Sequence, residues 1–167
     1  MQVTFKGKTI EVPGNQLNVG DKIPNVTMTQ ADGKEVLLMD LISGKTTILS
    51  IVPDVLTRTC ELQTKMFADQ TKDKGYQFIT VSRNTPAEFN QWNEEMELDV
   101  QTLSDLNHEF GEQFALNIDF TGNGNELLTR SVFVINQDGL IEYVEYVDEV
   151  TEEPSYKPAL EVADKLA

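Results

Sequence analysis

The chain is poor in the residues that build disulfides and metal centres. Cysteine occurs once, at Cys60, and histidine once, at His108. An intrachain disulfide and any Cys-rich or His-rich metal cluster are thereby excluded, and neither metal nor cofactor is expected. Basic residues are also scarce: 13 Lys and Arg face 28 Asp and Glu, for a net charge of −15. Nucleic acid and anionic membrane need clustered cations, so neither is expected as a partner. No apolar run approaches the ~18 residues of a membrane span. The opening Met1-Gln-Val-Thr-Phe-Lys-Gly7 is too polar for a signal peptide. A cytoplasmic protein with a reduced thiol is the expectation.

What is present suits a folded domain. The 167 residues are 40 % hydrophobic and 25 % charged, enough for a substantial core. No repeat, low-complexity tract or linker divides the chain, so residues 1–167 are expected to form one domain.

The lone cysteine sits in the most informative stretch. Thr47 to Val52 is β-branched and apolar with one small polar break, Ser50, and predicts a buried strand. Pro53 cannot join a sheet ladder and ends it. Thr57 is an N-cap candidate. Leu62, Met66 and Phe67 then recur at helical spacing and suggest the buried stripe. Cys60 falls in the first helical turn, where unpaired N–H groups and the positive end of the macrodipole favour a thiolate. Arg58 could add positive charge there. From local physics alone, Cys60 reads equally well as a small buried hydrophobe.

Elsewhere, Val3 and Phe5 alternate with polar residues, Gly7 supplies a turn, and Thr9 to Val12 completes a hairpin. Asn25 to Thr29 and Glu35 to Leu38 are short strands around the Ala31-Asp-Gly33-Lys turn. Asp40 is a candidate cap for a brief helical turn. Gly75 is a helix stop. Tyr76 to Ser82 is a core strand. Thr85-Pro86-Ala-Glu88 opens a helix whose face is Phe89, Trp92, Asn93 and Met96. Val100 to Leu103 is a strand, and a helix through Phe110 and Phe114 follows. Residues 119–125 form a loop. Arg130 to Asn136 and Leu140 to Val147 make a hairpin across Gln137-Asp-Gly139. Ile141, Tyr143, Glu145 and Val147 are expected on one face of it, with one of Tyr143 and Tyr146 core and the other exposed. A final helix carries Leu160, Ala163 and Leu166. His108 is expected to be solvated, and Trp92 to serve the core or a subunit contact. This order of elements predicts a three-layer α/β domain.

The spacing Pro53-x-x-x-Thr57-x-x-Cys60 resembles the active-site motif of peroxiredoxins. The wider stretch, with Gln63-Thr-Lys65 and Phe67, is similar to their thiol peroxidase branch. Similar stretches run along nearly the whole chain: Val3-Thr-Phe-Lys-Gly7, Val19-Gly-Asp-Lys-Ile-Pro24, Gln101-Thr-Leu-Ser-Asp105, Leu127-Leu-Thr-Arg130-Ser-Val-Phe-Val134, and Tyr143-Val-Glu-Tyr146 running into Thr151-Glu-Glu-Pro154.

The resemblance implies a thioredoxin-like three-layer fold of peroxiredoxin type with an N-terminal β-hairpin. It implies a thiol-dependent peroxidase in which Cys60 attacks a hydroperoxide, Arg130 folds back beside it, Thr57 hydrogen-bonds thiolate and peroxide, and Pro53 shields the site. It also implies a homodimer. The sequence departs from the two-cysteine pattern near Trp92-Asn93, where the resolving cysteine would stand. Thr57 likewise occupies the position of the first cysteine in a Cys-x-x-Cys loop, which excludes dithiol exchange there. An external thiol, thioredoxin or a low-molecular-weight thiol, is then the expected reductant. The alternative function is a redox sensor with little turnover.

Overall fold

The computed structural model describes all residues, Met1–Ala167. The N-terminal hairpin pairs β1 (Gln2–Phe5) with β2 (Lys8–Glu11). Its two turn residues, Lys6 at φ 52° and Gly7 at φ 82°, are both left-handed, as the tight primed turns of hairpins require. The chain then forms β3 (Thr27–Gln30), β4 (Glu35–Leu37), α1 (Leu38–Ile42), β5 (Thr47–Ile51), α2 (Arg58–Gln70), β6 (Gln77–Ser82), α3 (Pro86–Met96) and β7 (Gln101–Ser104). It continues through α4 (Glu109–Gln113), β8 (Asn117–Ile118), β9 (Leu127–Leu128), β10 (Ser131–Ile135), β11 (Ile141–Tyr146) and α5 (Tyr156–Leu166).

Seven strands make one mixed sheet in the order β11-β10-β5-β6-β7-β3-β4. The central β5 and β6 are parallel, as are β6 and β7; β10 runs antiparallel to both β5 and β11. All five residues of β5 are buried, because helices cover both faces. Leu49 and Ile51 enter the larger core with Leu38, Phe110, Phe114 and Phe133. Ile48 points the other way, toward Phe67, Val132, Val134, Ala159 and Ala163. A third cluster joins Cys60 to Val52, Val55, Phe89 and Trp92. The expected three layers and N-terminal hairpin are both present. The predicted capping box forms as well: Thr85 Oγ1 accepts from Glu88 N at 3.1 Å, and Glu88 Oε1 accepts from Thr85 N at 2.9 Å.

Several details differ from expectation. Helix α2 ends at Gln70, with Thr71 Oγ1 donating to the Phe67 carbonyl at 2.7 Å, several residues before Gly75. Asp40 lies inside α1, whose N-cap is Leu37. Strands β8 and β9 were not legible in the sequence. In β11 the alternation is interrupted: Val134 pairs with Tyr143 while Ile135 pairs with Ile141. Glu142 is the extra residue of a bulge, so Ile141 and Tyr143 pack into different cores. Neither tyrosine of the strand is exposed; both are half-buried. The Tyr146 hydroxyl donates to the Leu17 carbonyl at 2.6 Å, and Tyr143 packs on the opposite face.

Candidate active site

The site forms where β5 hands over to α2. Pro53 is buried at the strand end. A polar network behind it shapes the loop that follows. Asn84 Oδ1 accepts from Val55 N at 2.9 Å and from Ser82 Oγ at 2.7 Å, while Asn84 Nδ2 donates to Asp54 Oδ1 at 2.9 Å. The loop then turns into the helix. Thr57 has the extended N-cap conformation, and the first helical bond runs from Glu61 N to the Thr57 carbonyl at 2.9 Å. Cys60 is thus the third residue of α2, among the N–H groups with no partner inside the helix.

The Thr57 side chain does not cap the helix, nor does the structure place it in a hydrogen bond with the sulfur. Its hydroxyl donates to the Asp54 carbonyl at 2.8 Å. That bond consumes its proton and leaves its lone pairs free to accept.

The buried stripe of α2 is not the one its leucine and methionine suggested. Leu62 and Met66 remain 36 % and 40 % exposed. Cys60, Gln63, Thr64 and Phe67 face inward instead, a spacing of i, i+3, i+4 and i+7. The inward polar residues have partners. Thr64 Oγ1 donates to the Cys60 carbonyl at 2.9 Å. Gln63 Nε2 donates to Ser50 Oγ at 2.7 Å, which gives the polar break in β5 its purpose.

Arg130, one residue before β10, arrives beside the cysteine across 70 residues of sequence. Arg130 is 3 % exposed and Cys60 is 1 % exposed. Nη2 donates to Cys60 Sγ at 3.3 Å, Nη1 to Gln63 Oε1 at 2.9 Å, and Nε to the Val150 carbonyl at 2.8 Å. No carboxylate forms a salt bridge with Arg130. A buried cation without a counterion is costly. Among its hydrogen-bond partners, Cys60 Sγ is the one that belongs to an ionisable group.

A cavity of about 420 Å³ opens over the sulfur. Pro53, Phe5, Phe120, Leu127 and Val150 supply apolar lining, while Thr57 and Arg130 reach it as polar groups. The Phe5 and Phe120 rings meet at 4.8 Å, which ties the N-terminal hairpin to the loop after β8. Glu149 secures the same corner. Its carboxylate accepts from Thr151 Oγ1 (2.6 Å), Thr151 N (3.0 Å), Gly7 N (2.9 Å), Lys6 N (3.2 Å) and Thr4 Oγ1 (2.9 Å). The Thr151 bonds, followed by Gly7 N and Thr4 Oγ1, hold that carboxyl at about 2, well below its usual 4.5.

The structure therefore brings Pro53, Thr57, Cys60 and Arg130 to one cavity. Arg58 is exposed and makes no hydrogen bond to the sulfur. His108 is exposed at the start of α4, as expected. Gln63, Ser50 and the Val150 carbonyl were not singled out from the sequence. The available signal for Gln63 was its place one turn after Cys60.

The Redoxin family model matches residues 18–160. The chain is 37 % identical to a thiol peroxidase of Halalkalibacterium halodurans over 96 % of each chain. It is 35 % identical to a thiol peroxidase of Bacillus subtilis, covering 99 % of this chain and 98 % of the relative. Among solved structures, a peroxiredoxin-like protein from Aquifex aeolicus superposes with a TM-score of 0.90 at 27 % identity, over 99 % and 97 % of the two chains. The thioredoxin-like, peroxiredoxin-type fold expected from the sequence is thereby shown. With the helix-start cysteine, its arginine and these full-length relatives all in agreement, the chain belongs to the redoxin family, as a peroxiredoxin of the thiol peroxidase branch.

Proposed function

We propose that this chain is a single-cysteine thiol peroxidase and that Cys60, Arg130, Thr57 and Pro53 form its catalytic site. The observation that carries the assignment is the Arg130 guanidinium 3.3 Å from Cys60 Sγ, buried without a carboxylate partner. The thiolate is its counter-charge. It attacks the distal oxygen of a hydroperoxide; the S–O bond forms as the O–O bond breaks, and the leaving oxygen departs as water or an alcohol after taking a proton. Arg130 donates to the oxygens as negative charge spreads over them. Thr57 Oγ1, its own proton committed to Asp54, accepts from the O–H of the peroxide. Pro53 and the apolar walls keep water off the sulfur.

The product is a sulfenic acid, the reversible first step of cysteine oxidation. With no second cysteine in the chain, an external thiol restores Cys60. Such thiols are kept reduced in the cytoplasm, where we place the protein. We take residues 1–167 as one functional unit and a homodimer as its assembly state. Leu56, Leu62 and Met66, all partly exposed on α2 or just before it, supply apolar surface for that contact. No helix is long and apolar enough to cross a membrane. The relatives share the name thiol peroxidase, which disfavours a sensor with little turnover.

The test is rapid mixing of reduced protein with equimolar hydrogen peroxide or cumene hydroperoxide, followed by Trp92 fluorescence and product mass. Fast gain of one oxygen on Cys60, absent in Cys60→Ser, with multiple turnovers when thiol is supplied, is the expected outcome. Oxidation no faster than that of an ordinary free thiol would overturn the assignment.

A further inference from the structure

Three of the 13 basic residues of this acidic chain line the one cavity over Cys60: Lys6, Arg58 and Arg130. Arg130 is buried and committed to the sulfur. Lys6 and Arg58 are different. Both are exposed, and neither side chain makes a salt bridge or a hydrogen bond. Lys6 Nζ lies 5.5 Å from the centre of the Phe5 ring, on a hairpin tip whose backbone is pinned by Glu149. Arg58 is the first residue of α2. The only acid in the lining is Asp54, whose Oδ1 already accepts from Asn84 Nδ2 and Leu56 N. A chain of net charge −15 therefore presents two cations without a salt-bridge partner at the cavity over its thiol. Such a local reversal of sign concentrates anions there and repels cations.

Resting on the peroxidase assignment above, we propose that Lys6 and Arg58 form a carboxylate-recognising rim, and that the thiol which reduces the Cys60 sulfenic acid is a small molecule carrying a carboxylate. The chemistry needs two such thiols. The first thiolate attacks the sulfenic sulfur, an S–S bond forms, the S–O bond breaks, and the oxygen leaves as water after protonation. The second attacks the small molecule's own sulfur in that mixed disulfide, releasing the Cys60 thiolate and a free disulfide. The two thiols supply the two electrons. Cys60 is 1 % exposed beneath a cavity of about 420 Å³. That space admits a small thiol readily, whereas a folded dithiol protein would have to bring its own sulfur down to the base of it.

The experiment generates the sulfenic acid with equimolar hydrogen peroxide and confirms it by mass and by trapping with dimedone. Reduction is then timed with mercaptopropionate, mercaptoethanol and cysteamine, each rate corrected for thiol basicity. The readout is the ratio of the anionic to the neutral thiol within one protein, which cancels any general change in reactivity. For the wild type a ratio of roughly five to ten is expected from two exposed charge pairs, with cysteamine slowest and the ratio shrinking in high salt. Lys6→Gln/Arg58→Gln brings it close to unity, and Lys6→Arg/Arg58→Lys preserves it. Equal rates for the three thiols would overturn the proposal. So would a preference that survives in the double glutamine variant, or faster reduction by thioredoxin at equal concentration. A carboxylate-bearing hydroperoxide and its methyl ester form a further arm. Charge selectivity confined to that oxidising step would assign the rim to the oxidant and equally overturn the proposal. Failure to form any sulfenic acid would instead count against the peroxidase assignment itself.

Discussion

Gln63 joins Ser50 to Arg130. Its Nε2 donates to the serine hydroxyl at 2.7 Å, and its Oε1 accepts from Nη1 of the arginine at 2.9 Å. The carboxamide thus aligns the guanidinium without bringing a competing negative charge. Gln63→Leu would leave a buried guanidinium N–H and a buried hydroxyl without this partner. We expect a stability loss of roughly 1–3 kcal/mol and about tenfold slower oxidation of Cys60, since a tenfold rate change needs only about 1.4 kcal/mol of misalignment. Urea melts and stopped-flow oxidation by hydrogen peroxide would measure the two effects. A variant destabilised yet fully reactive would show that Gln63 serves packing alone.

Arg130 Nη2 lies 3.3 Å from Cys60 Sγ, and its proposed role is to donate to the peroxide oxygens. Arg130→Met should cost about 2.7–4 kcal/mol of barrier, by analogy with the loss of an oxyanion-hole donor. That corresponds to a second-order rate of peroxide attack lowered roughly a hundredfold to a thousandfold. The same rapid-mixing assay reads it directly, and an unchanged rate would remove Arg130 from the catalytic site.

Thr57 separates a capping role from a chemical one. Its side chain makes no cap bond, so Thr57→Val should lose less than the ~1 kcal/mol typical of a lost N-cap. Loss of the acceptor should nevertheless slow peroxide attack by about tenfold, the equivalent of one ordinary hydrogen bond. Thr57→Ser should retain the rate. Equal rates for valine and threonine would leave the residue with only its bond to Asp54.

Glu149 predicts an acid-labile corner. Its carboxyl is held at about 2, against an unfolded value near 4.5. A group whose acidity is raised by folding contributes stability above its unfolded pKa and loses it as pH falls toward the folded one. Thermal melts between pH 6 and pH 2 should therefore show a decline below about 4.5 that is shallower in Glu149→Gln. Parallel curves for the two proteins would contradict this assignment. The hairpin tip carrying Phe5 and Lys6 should loosen over the same range, because Lys6 N and Gly7 N donate to this carboxylate.

Much of the local structure was legible from residue order. The β-branched run of β5 is apolar because helices cover both its faces. Pro53 ends the strand, and Thr85, Pro86 and Glu88 announce α3 through their own chemistry. These are effects of neighbouring residues, which the sequence states outright. The motif around Cys60 likewise marked the helix start that carries the thiol and its resemblance to known peroxidases.

Other features depended on partners distant along the chain. Leu62 and Met66 looked like the inward stripe of α2, yet Gln63 and Thr64 hold that face, because Ser50 and Arg130 supply the bonds that make burial of polar groups tolerable. The bulge at Glu142 reversed the facing of Ile141 against Tyr143, since strand pairing and not alternation alone sets register. Residue order alone specifies the strand-turn-helix that carries Cys60, the lack of a second thiol in this chain and the acidity of the whole. The packed fold was needed to make Arg130 the thiol's neighbour, to bond Gln63 to it, and to bring Lys6 and Arg58 to one cavity. Those relations join residues tens of positions apart, and no local propensity encodes a contact until the sheet has closed between them.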